Sequence, residues 1–399
     1  MATRPPADLA TSLIHHAYAP PDGFVAAQPS VFKASTVIFP NIAALRARNW
    51  KEKTGYTYGL HGTPTTFTLE ERIATLEGGL HSLLVPSGLA TIALGDLALL
   101  KSGDEVLIPD NAYGPGKELA RNELAGWGIA HRFYDAMDPA ALGATIGPQT
   151  KLVWLEAPGS VTMEFPDLVA LVQVARAKGV TTALDNTWGA GIAFNAFDLP
   201  DGQAVDISMQ AVTKYPSGGG DVLMGSVTTR DEALHLKLKF AHMRLGWGVG
   251  ANDAELMLRS LPTVALRYAA QDRAARTSAE WLAQRAEIAR VLHPALPGAP
   301  GFCALVGHVP RRRRGVLGRV RPALRERAGR CVCGCTEAVS HRLFVGRAGE
   351  PGGAVHVHGM RSQTTPYKDV LVRFSIGFEA VEDLLADLTQ ALAAAFGHD

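Results

Sequence analysis

The sequence has no cysteine before position 303. The four it does have, Cys303, Cys331, Cys333 and Cys335, fall within 33 residues. The C-V-C-G-C run lacks a second cluster and patterned histidines, so it does not read as a zinc site, and no metal is expected. There is no apolar run of membrane-spanning length, and the first residues, MATRPPADLATSLIHH, contain no apolar secretory core. A cytoplasmic protein is the expectation. Net charge is nearly absent as well: 39 Lys and Arg stand against 38 Asp and Glu, a balance of +1. That balance favours neither a nucleic-acid binder nor a membrane-surface protein.

What the chain has is bulk. Its 399 residues are 47% hydrophobic, enough for one large core and a smaller second domain. Residues 1–61 read as an extended arm with Pro and Gly punctuation. From PTTFTLEERIATLEGG the texture changes, with Thr66 or Thr68 as a candidate cap for a helix carrying Leu69, Ile73 and Leu76 on one stripe. HSLLV, DEVLIP, TKLVWLEAP, VTTALDN and AVDISMQAV then read as apolar strands alternating with helices. Strands of that kind belong to a largely parallel sheet covered on both faces. Such sheets bind ligands at the carboxyl ends of their strands. The residues expected there are Asp110, Asn111, Tyr113, Glu156, Asp185, Asn186, Thr187 and Lys214. The large domain is placed at 62–260 and a smaller α+β domain at 261–399, closed by a strand and the amphipathic helix of VEDLLADLTQALAAAF.

One segment breaks the pattern. Residues 302–365 hold twelve arginines, three glutamates, no lysine and no aspartate, a local charge of +9. Two readings stand. A basic interaction segment fits the charge but lacks interleaved aromatics and a recognisable binding module. A shifted reading frame in a GC-rich gene would also accumulate arginine, glycine and cysteine. Either way the segment shows no strand period.

Lys214 lies in DISMQAVTKYPSGGGDVLMGS, where an apolar run meets a glycine-rich turn. Desolvating an amine there is costly unless something uses it. Three readings are open: a surface lysine, a structural ion pair with Asp185 or Asp221, or an imine-forming lysine. The last needs a carbonyl partner, a phosphate cradle and an acid. With a pyridoxal phosphate aldehyde as that partner, Asp185 could pair with the pyridinium nitrogen or merely cap a turn. Ser87 and Gly88 in PSGLAT open a helix whose free amides suit a phosphate, and Thr213 offers a hydroxyl to the same group. Tyr113 could stack on the ring or serve the core.

The block SMQAVTKYPSGGGDVLMG closely resembles the lysine signature of the Cys/Met-metabolism family of PLP enzymes. The likeness extends over roughly residues 25–300 and 366–399. It implies the fold-type I architecture, an α/β large domain with a mostly parallel sheet and a smaller C-terminal α+β domain. It also implies Lys214 as the Schiff-base lysine and a catalytic residue, Asp185 on the pyridine nitrogen and Tyr113 as the stacking and second proton-handling residue. Ser87, Gly88 and Leu89 would hold the phosphate. Arg373, in VLVRFSIGFE, would clamp the substrate carboxylate, a task a planar fork suits. Tyr58 would reach the phosphate and substrate of a neighbouring subunit, which implies a homodimer paired into a tetramer. The family often has an arginine two residues later, where this chain has Leu60; His61 or Tyr56 could compensate. LDNTWGAG, with Trp188, and LGWGVGANDAELMLRSLPTVALR resemble the cystathionine β-lyase branch. That branch implies β-elimination of L-cystathionine, with cysteine or cystine also accepted. The alternatives kept open are a γ-lyase, a γ-synthase, or a non-catalytic relative with a basic interaction segment.

Overall fold

The computed structural model describes residues 9–14, 22–23, 26–53, 55–160, 162–308 and 370–396, with short strand pieces at 319–320, 322–324 and 354–355. The arm is not wholly extended. Helix α1 (Leu9–Ile14) buries Leu13 in the main core, and a single turn, α2 (Ile42–Arg46), follows. Helix α3 (Pro64–Glu77) starts upstream of the expected caps. Thr63 is its N-cap: its hydroxyl accepts from Thr66 N, while Thr63 N donates to Thr66 Oγ1 at 2.8 Å. Pro64 at the first helical position needs no partner for an amide it lacks, which fixes the start there. Thr68 instead lies inside the helix and donates to Pro64 O. Leu69, Ile73 and Leu76 form the expected buried stripe.

The chain then alternates. Strand β1 (His81–Val85) leads to α4 (Gly88–Leu99), β2 (Glu105–Pro109) and α5 (Gly114–Leu119), which runs on into one wide turn. Next come β3 (Ala130–Tyr134), α6 (Pro139–Thr145), β4 (Thr150–Glu156), α7 (Leu168–Ala177), β5 (Thr181–Asp185), β6 (Ile207–Gln210) and β7 (Gly225–Thr229). They form one seven-stranded sheet in the order β1-β7-β6-β5-β4-β2-β3. Only β7 runs antiparallel to its neighbours β1 and β6; the other pairs are parallel. Side chains alternate between two cores, as a period of two requires. Leu83, Val106, Ile108, Leu152, Trp154, Ile207 and Met209 enter one, and Leu84, Leu107, Val153, Leu155 and Leu184 enter the other. With both faces buried, the strands read as continuous apolar runs.

Helices α8 (Glu232–Leu245) and α9 (Ala251–Ser260) pack onto the cores of the sheet, and α10 (Val264–Ala283) starts there and runs into a further core. Beyond them lie β8 (Arg290–Val291), α11 (Phe302–His308), β9 (Arg319–Val320), β10 (Pro322–Leu324), β11 (Ala354–Val355), β12 (Val370–Val372), β13 (Phe374–Ser375) and α12 (Val381–Phe396). A third, smaller core gathers Ala275, Ala279 and Leu282 of α10 with Val372, Phe374 and Ile376, and with Leu384, Leu388, Ala391 and Leu392 of α12. Most of the arginine-rich segment, including Cys331, Cys333 and Cys335, lies outside the described residues; Cys303 is an exposed free thiol. Three short pieces of that segment do pair. The pieces β10 and β11 flank β12, and β9 pairs with β13. Sequence pattern gave no sign of them because two- and three-residue pairings are made by backbone groups and need no side-chain alternation. Among the described residues no helix is long and apolar enough to cross a membrane.

Candidate active site

Five strands deliver polar residues to one edge of the sheet. Ser87 follows β1, Asp110 follows β2, Glu156 closes β4, Asp185 closes β5, and Lys214 lies four residues past β6. Glu156 and Asp185 are register partners on adjacent parallel strands, so two carboxyl groups sit side by side. Burial drives the Glu156 carboxyl well above the usual carboxylate range, and the neighbouring Asp185 charge adds to it. A bond from Tyr113 N to Glu156 Oε2 at 2.8 Å and the charges of Lys214 and Lys117 oppose that rise. Glu156 therefore retains its proton more readily than an exposed carboxyl would.

Asp185 is half-buried, and its Oδ1 accepts from Thr187 N at 2.9 Å. The turn-capping role is present, and it leaves Oδ2 outside that bond. Thr187 in turn offers its Oγ1 to Ala211 N at 2.9 Å, tying the loop after Asp185 to the base of the lysine turn. Behind them, Glu77 Oε2 accepts from Ser208 Oγ (2.7 Å) and Asn186 Nδ2 (3.3 Å). Burial pushes the Glu77 carboxyl up to about 7, with the Asp185 charge contributing in the same direction.

Tyr113 sits at the start of α5, and the Lys214 ammonium lies 5.7 Å from the centroid of its ring. Burial, then Asp185 and Glu156, raise the pKa of its hydroxyl, so at neutral pH Tyr113 is a proton donor rather than a base. The cleft behind its ring is lined by Ile92, Ile108, Trp154, Glu156 and Asp185.

Ser87 is the N-cap of α4, and its Oγ accepts from Ala90 N at 3.1 Å. That bond satisfies one of the orphan amides of the first turn and leaves those of Gly88 and Leu89 for an anion. A Cβ on Gly88 would come within 2.5 Å of the Ala211 side chain. Glycine is what lets this helix start approach the lysine turn. Thr213 is less available: its hydroxyl donates to Met224 O (3.1 Å) and accepts from Met224 N (3.0 Å). To donate to a phosphate it must release the Met224 carbonyl.

Two expected residues come from other parts of the chain. Tyr58 is on the arm, 44% exposed, lining a shallow groove with Phe39 and Ile42. Arg373 is half-buried between β12 and β13, beside the third core. Neither suggested replacement for the missing family arginine is idle. His61 Nδ1 lies 2.8 Å from Thr57 Oγ1, and Tyr56 stacks on Phe67. Sequence reasoning passed over Glu77, Lys117 and Arg267. The signal for Arg267 was a single charge set among apolar residues in LPTVALRYAA.

The residues fit a pyridoxal phosphate. An amine, an aromatic face and a carboxylate meet beside a helix start whose Gly88 is closed against the lysine turn. The family model described as Cys/Met metabolism PLP-dependent enzyme matches residues 10–317. A cystathionine beta-lyase from Bordetella avium is 37% identical, covering 91% of each chain. A cystathionine gamma-synthase from Mycobacterium tuberculosis is 31% identical, covering 96% of each. The crystal structure of cystathionine gamma-lyase from Lactobacillus plantarum superposes with a TM-score of 0.84 and 25% identity, covering 98% of this chain and 99% of that one. The fold is that of PLP-dependent transferases of fold type I, and the chain belongs to the Cys/Met metabolism family of PLP-dependent enzymes.

Proposed function

We propose that this protein is a carbon–sulfur lyase that cleaves L-cystathionine by β-elimination to homocysteine, pyruvate and ammonia, and that it also accepts cysteine or cystine. The observation that carries the reading is the placing of the Lys214 ammonium over the Tyr113 ring at the strand ends that hold Asp185. Bound at this edge, pyridoxal phosphate supplies a sink for the electron pair left when the substrate α-carbon loses its proton.

The chain's own residues do the rest. Lys214 would hold the cofactor through its amine, and as a free amine it would take the substrate's α-proton. Lys214 or Tyr113 returns a proton to the departing sulfur. Tyr113 suits that role because its raised pKa keeps its hydroxyl protonated. Asp185 would lie at the cofactor's ring nitrogen and favour its protonated form. Ser87, Gly88 and Leu89 hold the phosphate, with Thr213 as a further candidate. Arg373 binds the substrate carboxylate, and Tyr58 serves the phosphate and substrate of a neighbouring copy, so the active unit is a homodimer and the assembly a dimer of dimers. A cytoplasmic location fits this chemistry.

The β rather than γ outcome rests on Trp188 in LDNTWGAG and on the likeness to the Bordetella avium enzyme. A γ-elimination remains the second reading, because relatives named for γ chemistry cover nearly the whole chain. Product analysis with L-cystathionine separates the two. Pyruvate with homocysteine is expected; 2-oxobutyrate with cysteine would overturn the β assignment.

A further inference from the structure

The turn that carries Lys214 is held from behind by a helix that also reaches the third core. After β6 the chain closes on itself: Lys214 N donates to Ala211 O, Ser217 N to Val212 O, and Gly218 N to Lys214 O, at 3.0 to 3.2 Å. Those bonds shape the turn but do not use the carbonyls of Tyr215, Pro216 and Ser217. Side chains of α9 and α10 take these. Arg267 Nη1 donates to Tyr215 O, and Nη2 donates to Pro216 O at 3.0 Å. Ser260 Oγ lies 2.6 Å from both Pro216 O and Ser217 O, so its one proton serves either.

Arg267 is itself braced. Its Nη2 also donates to Ser260 O and Ser260 Oγ, and its Nε donates to Thr263 Oγ1 at 3.1 Å. Each of these partners is a neutral oxygen. Burial lowers the pKa of the guanidinium, but an arginine stays charged at physiological pH, so a full cation is spent on main-chain dipoles. The sequence leaves room for it. Gly218 has φ +75°, and a Cβ there would stand 2.5 Å from Arg267 Nη1. The next residue of α10 acts on the other half of the site. Tyr268 donates its hydroxyl to Trp188 O at 2.7 Å and sets its ring edge-on to Tyr215 at 4.7 Å. About two and three turns of that helix later, Ala275 and Ala279 sit in the core around Phe374 and Ile376, and one turn on, Gln271 Nε2 donates to Ile376 O.

We propose that Arg267, together with Ser260, is a positioning residue for Lys214: by fixing the carbonyls of the two residues after the lysine, it aims the amine over the Tyr113 ring. The inference rests on the reading of Lys214 as the cofactor-bearing amine. Arg267 touches neither substrate nor cofactor and acts only through the turn. Lysine cannot replace it, because three donors on one nitrogen cannot serve Tyr215 O, Pro216 O and Thr263 Oγ1 at once.

The test uses full-length apoprotein of the wild type, Arg267→Lys and Ser260→Ala. Pyridoxal phosphate is added, adduct formation is followed by visible absorbance, and the adduct is located by borohydride reduction and peptide mass. Separately, Lys214 in the apoprotein is labelled with a small acylating reagent, with exposed Lys101 as the internal standard. Arg267→Lys is expected to slow adduct formation and lower kcat by about tenfold or more, with KM changed by less than about threefold. Ser260→Ala should lower both about two- to fivefold. Acylation of Lys214 should stay at or above the wild-type rate, showing an amine that is present but misaimed. Adduct formation and kcat at wild-type values in Arg267→Lys, with only thermal stability lost, would overturn the proposal. If Arg267→Lys does not fold, Ser260→Ala decides: wild-type behaviour in it overturns the proposal equally. A wild-type apoprotein that forms no adduct at Lys214 sinks the site assignment itself, a different outcome.

Discussion

Lys214 and Tyr58 are assigned to one cofactor site, and the chain treats them in opposite ways. The lysine turn is tied at every level: its own amides close it, Thr213 is bonded twice to Met224, and Arg267 and Ser260 hold its outer carbonyls. The arm is tied at scattered points, among them a Lys53–Glu70 ion pair at 2.6 Å and Tyr56 against Phe67. Phe32 N donates to Thr65 Oγ1, and Gly59 N donates to Ser35 O. Around Tyr58 the arm leaves Ile38 at 91% and Ile42 at 62% exposure. The half of the site to which the covalent chemistry is assigned is the one the chain preorganises. Exposed apolar side chains around Tyr58 suit the proposed completion of this face by a second copy.

The largest effect that tests this contrast is at the amine. Lys214→Ala should lose the cofactor's characteristic absorbance and more than about a thousandfold in kcat, since one group serves as both anchor and base. Asp185→Asn comes next, lowering kcat by about a hundredfold while the adduct on Lys214 still forms, as single-turnover kinetics would show. Tyr58→Phe probes the other half. It should weaken cofactor binding by roughly tenfold, the scale of one charge-assisted hydrogen bond, and equilibrium dialysis reads this directly. With that bond crossing between copies as proposed, wild-type affinity should fall on dilution toward the value of the variant, and the variant's own affinity should not.

The last effect is on stability and concerns the support beneath Asp185. The Glu77 carboxyl is raised from its ordinary value to about 7 in the folded protein. The native state therefore binds the extra proton, and stability falls as pH rises from about 4.5 to about 7, then levels. Glu77→Gln removes that dependence. Relative to the wild type, the melting temperature of the variant should rise between pH 5 and pH 8, by a few degrees and on the order of 3 kcal/mol at most. Parallel melting curves across that range would remove Glu77 from the account.

Much of the large sheet was legible because a strand buried on both faces must be apolar throughout, and LVWLE or TTALD can hardly be read otherwise. The strand-end residues followed from the same pattern, since polarity at the end of an apolar run marks the ligand edge. The start of α3 was misplaced by three residues or more because four threonines crowd there, and Pro64 decided among them. The bracing by Arg267 was not legible. Its partners are main-chain carbonyls 51 and 52 residues away, which carry no side-chain signature. The pairings around Arg373 were hidden for a related reason, being backbone ladders of two or three residues.

The central claim is that Lys214 is the residue that bonds the cofactor. Borohydride reduction of the holoenzyme, followed by peptide mass mapping, tests it most directly. The prediction is a phosphopyridoxyl group on Lys214 alone. The same group on Lys117, the other lysine whose charge reaches Glu156, or on no lysine at all, would contradict it.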